Sequence, residues 1–283
     1  MTDVALTAAD AYCRALTKGH YENFVVASPL LHANLRRDLA RVYGFCRTTD
    51  DLGDESPSPQ EALERLVVWH DDLEAMFAGR TPVHPVLYAL RETVARRAIP
   101  AQLFYDLIEA NRVDQRVPHY ANWPELLAYC RLSAAPVGRM VLAVFDVTDP
   151  AAPALSDDVC IGLQLANHAQ DVKRDAAIGR RYLLDDDLAA YGTTGAVRAL
   201  VERARALLDS GRHLEPMVPG ALRVQLALYR LGGLAICDAI AALEYRTDER
   251  RPQVSGRDKA AILARSVVSL LRSRESGGYV RSA

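Results

Sequence analysis

Asp50 and Asp54 stand four residues apart in a stretch with helical character, and Asn167, Asp171 and Asp175 repeat that step of four later in the chain. On a helix this spacing gathers the side chains on one face. Carboxylate and amide oxygens collected in this way are hard donors suited to Mg²⁺. They also repel one another, so such a face is costly unless cations occupy it. Several Mg²⁺ ions bridged by one diphosphate would relieve the repulsion and turn the diphosphate into a leaving group. A basic stretch follows the second set, Lys173-Arg174 and then Gly179-Arg180-Arg181-Tyr182, which suits phosphate oxygens.

One D-x-x-x-D pair is weak evidence, because solvated helix faces produce it by chance. Here each set continues an apolar stripe. Leu35, Leu39, Val42 and Cys46 recur at steps of four, three and four, and the same rhythm reaches Asp50 and then Gly53 and Asp54. Leu155, Val159 and Leu163 lead likewise to Asn167, Asp171 and Asp175. Both sets therefore extend inward faces, and two acidic helices facing each other across an apolar pocket are expected. Asp51 lies about 100° away around its helix and is a secondary participant.

The elements that must position these groups are helical throughout. Strand-type alternation is scarce, and helices are expected over 3–18, 34–54, 60–78, 83–97, 101–116, 122–131, 134–146, 155–173, 194–212, 216–246 and 256–274. Ser56-Pro57-Ser58-Pro59, Ile99-Pro100 and Trp123-Pro124 punctuate them. No linker is long or polar enough to mark a boundary, so residues 1–283 read as one all-α domain. The 34 basic and 36 acidic side chains leave a net charge of −2, which gives no reason to expect nucleic acid. The five cysteines are scattered and read as reduced core residues in a cytoplasmic protein. No secretion signal is visible, and no uncharged apolar run approaches the roughly 18–20 residues of a membrane span. Contact at the inner membrane face is at most peripheral, with Arg36-Arg37 and Arg41 expected on a solvated face. Asp185-Asp186-Asp187 reads as an exposed helix start, where acids suit the dipole.

The chain resembles the squalene/phytoene synthases from His20 to about Arg246. Tyr43-Gly44-Phe45-Cys46-Arg47 with Asp50-Asp51-Leu52-Gly53-Asp54-Glu55 is similar to the first aspartate signature of that family. Tyr129-Cys130-Arg131 with Val137-Gly138 is similar to its middle motif, and Gln164 to Asp175 closed by Arg181-Tyr182 to its second signature. His20-Tyr21-Glu22-Asn23-Phe24 and the run Tyr129 to Gly138 look most like the bacterial hopanoid-pathway branch, which contains hydroxysqualene synthase.

This resemblance implies an isoprenoid-synthase-type helical bundle around an apolar pocket. It implies that Asp50, Asp54, Asn167, Asp171 and Asp175 bind several Mg²⁺ ions. Arg47, Arg181 and Tyr182 would contact phosphate oxygens, Tyr43 and Tyr129 would line the reaction centre, Gln164 would sit near the departing diphosphate and His20 near the pocket mouth. The implied reaction is ionisation of presqualene diphosphate and capture of the cation by water, with NADPH possible but not expected. Alternatives are squalene, presqualene-diphosphate or phytoene synthases that condense two prenyl diphosphates such as farnesyl diphosphate, and a catalytically silent helical assembly subunit. Neighbouring pathway enzymes are the partners this implies. Two departures from the family pattern are His168-Ala169, where two bulky aromatics are usual, and Gly53, where a side chain is usual. His168 alone reads as structural, not as a ligand. A di-iron helical protein would need Glu three residues before a His, and none of the seven His has one.

Overall fold

The computed structural model describes residues 4–18, 31–254 and 256; His20 and, beyond Gly256, the helix expected over 256–274 lie outside them. Eleven α-helices run through the described residues, α1 (Val4–Lys18), α2 (Ala33–Asp54), α3 (Pro59–Phe77), α4 (Pro85–Arg97), α5 (Ala101–Asp114), α6 (Trp123–Ser133), α7 (Ala135–Val144), α8 (Ala152–Gln170), α9 (Val172–Ala177), α10 (Asp185–Ser210) and α11 (Gly220–Ala242), with a 3-10 turn at Gly211–Met217 before the last. An isolated bridge between His119 and Arg181 is the only β-type pairing among them. The architecture is all-helical, as the periodicity requires.

Local chemistry sets the starts of these helices. Ser58 caps α3 by accepting from the Glu61 N–H at 3.2 Å, with Pro59 in the first turn. Asn122 does the same for α6 with Glu125, whose own carboxylate reaches back to the Ala121 N–H at 2.9 Å. Asp185 opens α10 nine residues earlier than the helix expected from 194, and the element bends at Gly192, whose φ of 66° is left-handed.

The chain divides into two compact units. The first comprises residues 1–117 and 136–148. Its core centres on Phe45, which stacks on Trp69 at 5.4 Å and meets Phe104 edge-on at 4.9 Å. Arg41 was expected on a solvated face but is 1 % exposed. It donates to Asp10 at 2.7 and 3.1 Å and to Thr93 at 3.2 Å. Asp38 is also fully buried and receives Thr93, Arg96 and Arg97. Periodicity misplaced Arg41 because burial of a charge depends on its partners, and these lie on α1 and α4.

The second unit comprises residues 118–135 and 149–283. Here α8 packs closely on α10 where Gly162 has no side chain; a Cβ would stand 2.9 Å from Leu208 and 3.1 Å from the Ala204 carbonyl oxygen. Asp187 is buried against Arg203, so only part of the Asp185–Asp187 run is the exposed helix start expected.

Trp123–Val144 and Gly220–Ala242 are, by length and composition alone, long and apolar enough to cross a membrane. The first is two helices, α6 and α7, and carries Glu125, Arg131 and Arg139; the second carries Arg223, Arg230 and Asp238. Such charges are expensive in a bilayer.

Candidate active site

In the first unit, α2 presents the first signature. Leu39 and Val42 are fully buried and Gly53 is buried, but Asp50 and Asp54 open to solvent. The apolar stripe ends in an accessible acidic face, not an enclosed one. Asp51 is half-buried and engages Arg47 at 2.5 Å, and Arg47 also reaches Glu55 at 3.0 Å. Asp51 thus positions the arginine. The Tyr43 ring is buried, and loss of hydration pushes its hydroxyl pKa upward.

The Asp50 carboxyl is strongly perturbed. Surrounding protein strips its hydration, and Asp54 and Asp51 repel its anion; together these push its pKa up to about 7 against the pull of an Asn111 hydrogen bond. Solvent reaches the side chain and screens part of that repulsion.

Asn111, on α5, went unnoticed in the sequence. Its amide nitrogen lies 3.4 Å from Asp50 and 3.1 Å from the Leu107 carbonyl. Gly53 makes room for it, since a Cβ there would stand 2.4 Å from the Asn111 oxygen. This explains one departure from the family pattern: a side chain at Gly53 would displace the residue that touches Asp50. Gly53→Ala is expected to cost about 1–3 kcal/mol of stability through overpacking. Adding Asn111→Ser should recover most of it, measured by thermal unfolding of both variants.

In the second unit, α8 carries Gln164 and Asn167, and Asp171 interrupts the helix at φ −100°, ψ 15°. The step of four nevertheless survives, because the Asp171 N–H bonds the Asn167 carbonyl at 2.9 Å and the Asp175 N–H bonds the Asp171 carbonyl at 2.8 Å. The helix expected over 155–173 is therefore two, α8 and α9, joined at a ligand candidate. Asn167 is exposed, Asp171 and Asp175 half-buried.

Arg251 pairs with Asp171 and lies 3.3 Å from Gln170, whose amide donates to the Pro252 carbonyl at 2.9 Å. Lys173 adds a bond to the Glu249 carbonyl at 2.8 Å. The segment 249–252 is thereby strapped to the second signature. Arg251 gave no sequence signal, because its partner lies 80 residues away. Gln164 is tied to Ser133 at 2.8–2.9 Å.

Tyr129 and Tyr182 are buried in one aromatic cluster with Tyr120 and His168. His168 stacks on Tyr182 at 3.6 Å with only 16° between planes, which accounts for the second departure: the imidazole fills an aromatic role. Burial, aided by Arg180, pushes its pKa down to about 3, so the ring stays neutral. Arg181 pairs with Asp185, which His119 approaches at 3.1 Å.

The His, Asp and Glu donors that converge within 4.8 Å among the described residues lie elsewhere, at half-buried His70 and exposed Asp71 and Glu74 on α3. The signature groups suit divalent cations on different grounds. They are all hard oxygen donors, several are accessible, and Asp50 is disfavoured as an isolated anion.

A model of the squalene/phytoene synthase family matches residues 17–258. A hydroxysqualene synthase of Sinorhizobium fredii is 34% identical over 250 residues, covering 82% of each chain. A phytoene synthase of Arthrospira platensis is 32% identical over 281 residues, covering 88% of this chain and 89% of its own. Among solved structures, squalene synthase HpnC from Alicyclobacillus acidocaldarius superposes with a TM-score of 0.80 at 42% identity, covering 86% of this chain and 97% of that one.

Proposed function

Since the chain belongs to the squalene/phytoene synthase family, we propose that it ionises presqualene diphosphate with the help of Mg²⁺ and lets water capture the cation, giving hydroxysqualene. The family processes prenyl diphosphates; the choice of reaction rests on the likeness to hydroxysqualene synthases. The observation that carries the metal-assisted step is the accessible acidic face of α2, where Asp50 is unfavourable as a bare anion.

In this reading Asp50 and Asp54 hold ions through the first signature, and Asn167, Asp171 and Asp175 through the second. Bound Mg²⁺ would supply Lewis acidity to the departing diphosphate. Arg47 and Arg181 contact phosphate oxygens by exchanging their present carboxylate partners, Asp51 with Glu55 and Asp185. Tyr182 would add a contact beside Arg181. Gln164, held by Ser133, sits near the leaving group. The buried rings of Tyr43 and Tyr129 offer their faces to the cation. His168 moves no proton, because burial keeps it neutral. No NADPH is needed when water ends the reaction. The enzyme would work in the cytoplasm beside enzymes that supply its substrate.

The phytoene synthase likeness favours a second reading, condensation of two prenyl diphosphates. Mass spectrometry of products decides between them, after incubation with Mg²⁺ and either presqualene or farnesyl diphosphate, with and without NADPH. Hydroxysqualene from presqualene diphosphate alone is expected. Presqualene diphosphate, squalene or a longer condensation product would overturn the water-capture reaction. Tight Mg²⁺-dependent diphosphate binding with no turnover of either substrate would instead favour a silent assembly subunit.

A further inference from the structure

Within the first unit, two side-chain amides one turn apart at the end of α5 reach across to the last turn of α2. Gln115 donates to the Gly53 carbonyl at 3.2 Å and to the Asn111 backbone carbonyl at 3.3 Å, so it grips backbone alone. Asn111 reaches a signature side chain instead. Its Nδ2 lies 3.4 Å from Asp50 Oδ1 and 3.1 Å from the Leu107 carbonyl, and it is the one donor to Asp50 among the described residues. An amide nitrogen carries two hydrogens, and each meets an acceptor here. The reversed amide would turn its oxygen toward those same two acceptors, so chemistry fixes which way the side chain points.

Packing fixes the other side of the amide. Asn111 is 9% exposed, and a Cβ at Gly53 would stand 2.4 Å from its oxygen and 3.2 Å from its carboxamide carbon. Where the family usually has a side chain at this step, the amide could not lie as it does here. Asn111 and Gly53 thus form a couple, one supplying the donor and the other the space for it.

We propose that Asn111 is a positioning residue for the first signature, turning the Asp50 carboxylate toward an incoming divalent cation, and that Gly53 is there to admit it. This role rests on the proposed metal-binding role of Asp50. A carboxylate at the end of a helix samples several rotamers. A donor held in place from a neighbouring helix restricts that sampling before the cation arrives and leaves the second oxygen for the metal. Hydrogen-bond partners of metal-binding carboxylates act in this way, and losing one weakens metal binding by about 10–100-fold. The 3.4 Å contact is long for a hydrogen bond, which puts the expected effect at the lower end.

The test is isothermal titration of the full chain with inorganic diphosphate, in Mg²⁺ and in EDTA, which reads the site without turnover. Asn111→Leu, of similar volume, and Asn111→Ala, which only removes atoms, should each weaken the Mg²⁺-dependent binding about tenfold. Gln115→Leu loses a grip on backbone only and should leave that binding within about twofold, while thermal unfolding reports the stability of every variant. The double variant Asp50→Asn with Asn111→Leu should bind no more weakly than Asp50→Asn alone, because a positioning residue acts through the group it positions. Equal weakening by Gln115→Leu and Asn111→Leu, or a further loss in the double variant, would make Asn111 merely structural and overturn the proposal. Unchanged binding in both Asn111 variants, with the wild type binding, overturns it as well. A wild type that binds no diphosphate in Mg²⁺ would remove the metal role of Asp50 itself, and the positioning role with it.

Discussion

Asp50→Asn and Asp171→Asn are each expected to lower turnover of the prenyl diphosphate by about 10²–10³-fold, the usual consequence of removing one electrostatic stabiliser of a departing group. Their stability effects should differ in sign. Asp50 has a folded-state pKa of about 7, above its ordinary value of 3.8. Its ionisation therefore destabilises the metal-free fold, increasingly as pH rises from about 4 to about 7 and in full above that. Asp50→Asn should leave the metal-free protein as stable or more stable at pH 8, with little change at pH 4. Asp171 instead faces Arg251 and lies near Arg174 at 3.9 Å, so its neutralisation should cost up to about 1 kcal/mol. Added Mg²⁺ should raise the melting temperature of the wild type and raise that of Asp50→Asn less. Wild-type rates in both variants would sink the two-signature assignment. A melting temperature of Asp50→Asn well below wild type at pH 8 would remove the charge-repulsion account of that face.

Arg41→Met is expected to destabilise the protein by about 3–5 kcal/mol, the largest effect anticipated for a residue outside the signatures. The cost comes less from the lost ion pair than from what remains behind. Asp10, 9% exposed, would keep its charge without the guanidinium that now donates to both its oxygens, and Thr93 would lose a donor. The second variant follows from that logic. Asp10→Leu with Arg41→Met removes both charges, and it should be more stable than Arg41→Met alone. Denaturant midpoints of the two variants and the wild type measure this. A single variant within 1 kcal/mol of wild type, on the same scale of breaking a buried pair, would mean that water takes over the guanidinium's role as donor to Asp10 and would overturn this account.

Much of the helical frame was legible because helix formation is local. Ser58-Pro59 and Asn122 with Glu125 mark helix starts within single turns, and α2 and α3 lie within one residue of their expected ends. The Asp and Asn steps of four were legible for the same reason, since hydrogen bonds between residues four apart keep that rhythm even through the break at Asp171. What periodicity could not reveal was decided by distant partners. It placed Arg41 in water, whereas Asp10 and Thr93, brought up on other helices, make burial tolerable. It could not find Asn111 behind Gly53 or Arg251 beside Asp171, because no local pattern marks a contact across 61 or 80 residues. Nor could it show that Asp50 and Asp54 end an apolar stripe yet open to solvent. The sequence by itself determined which residue types stand at which steps along each helix, because those depend on neighbours within a turn. Only the tertiary structure decided which charges are buried, which are paired and which stay accessible, because hydration and ion pairing depend on groups that the chain brings together from far away.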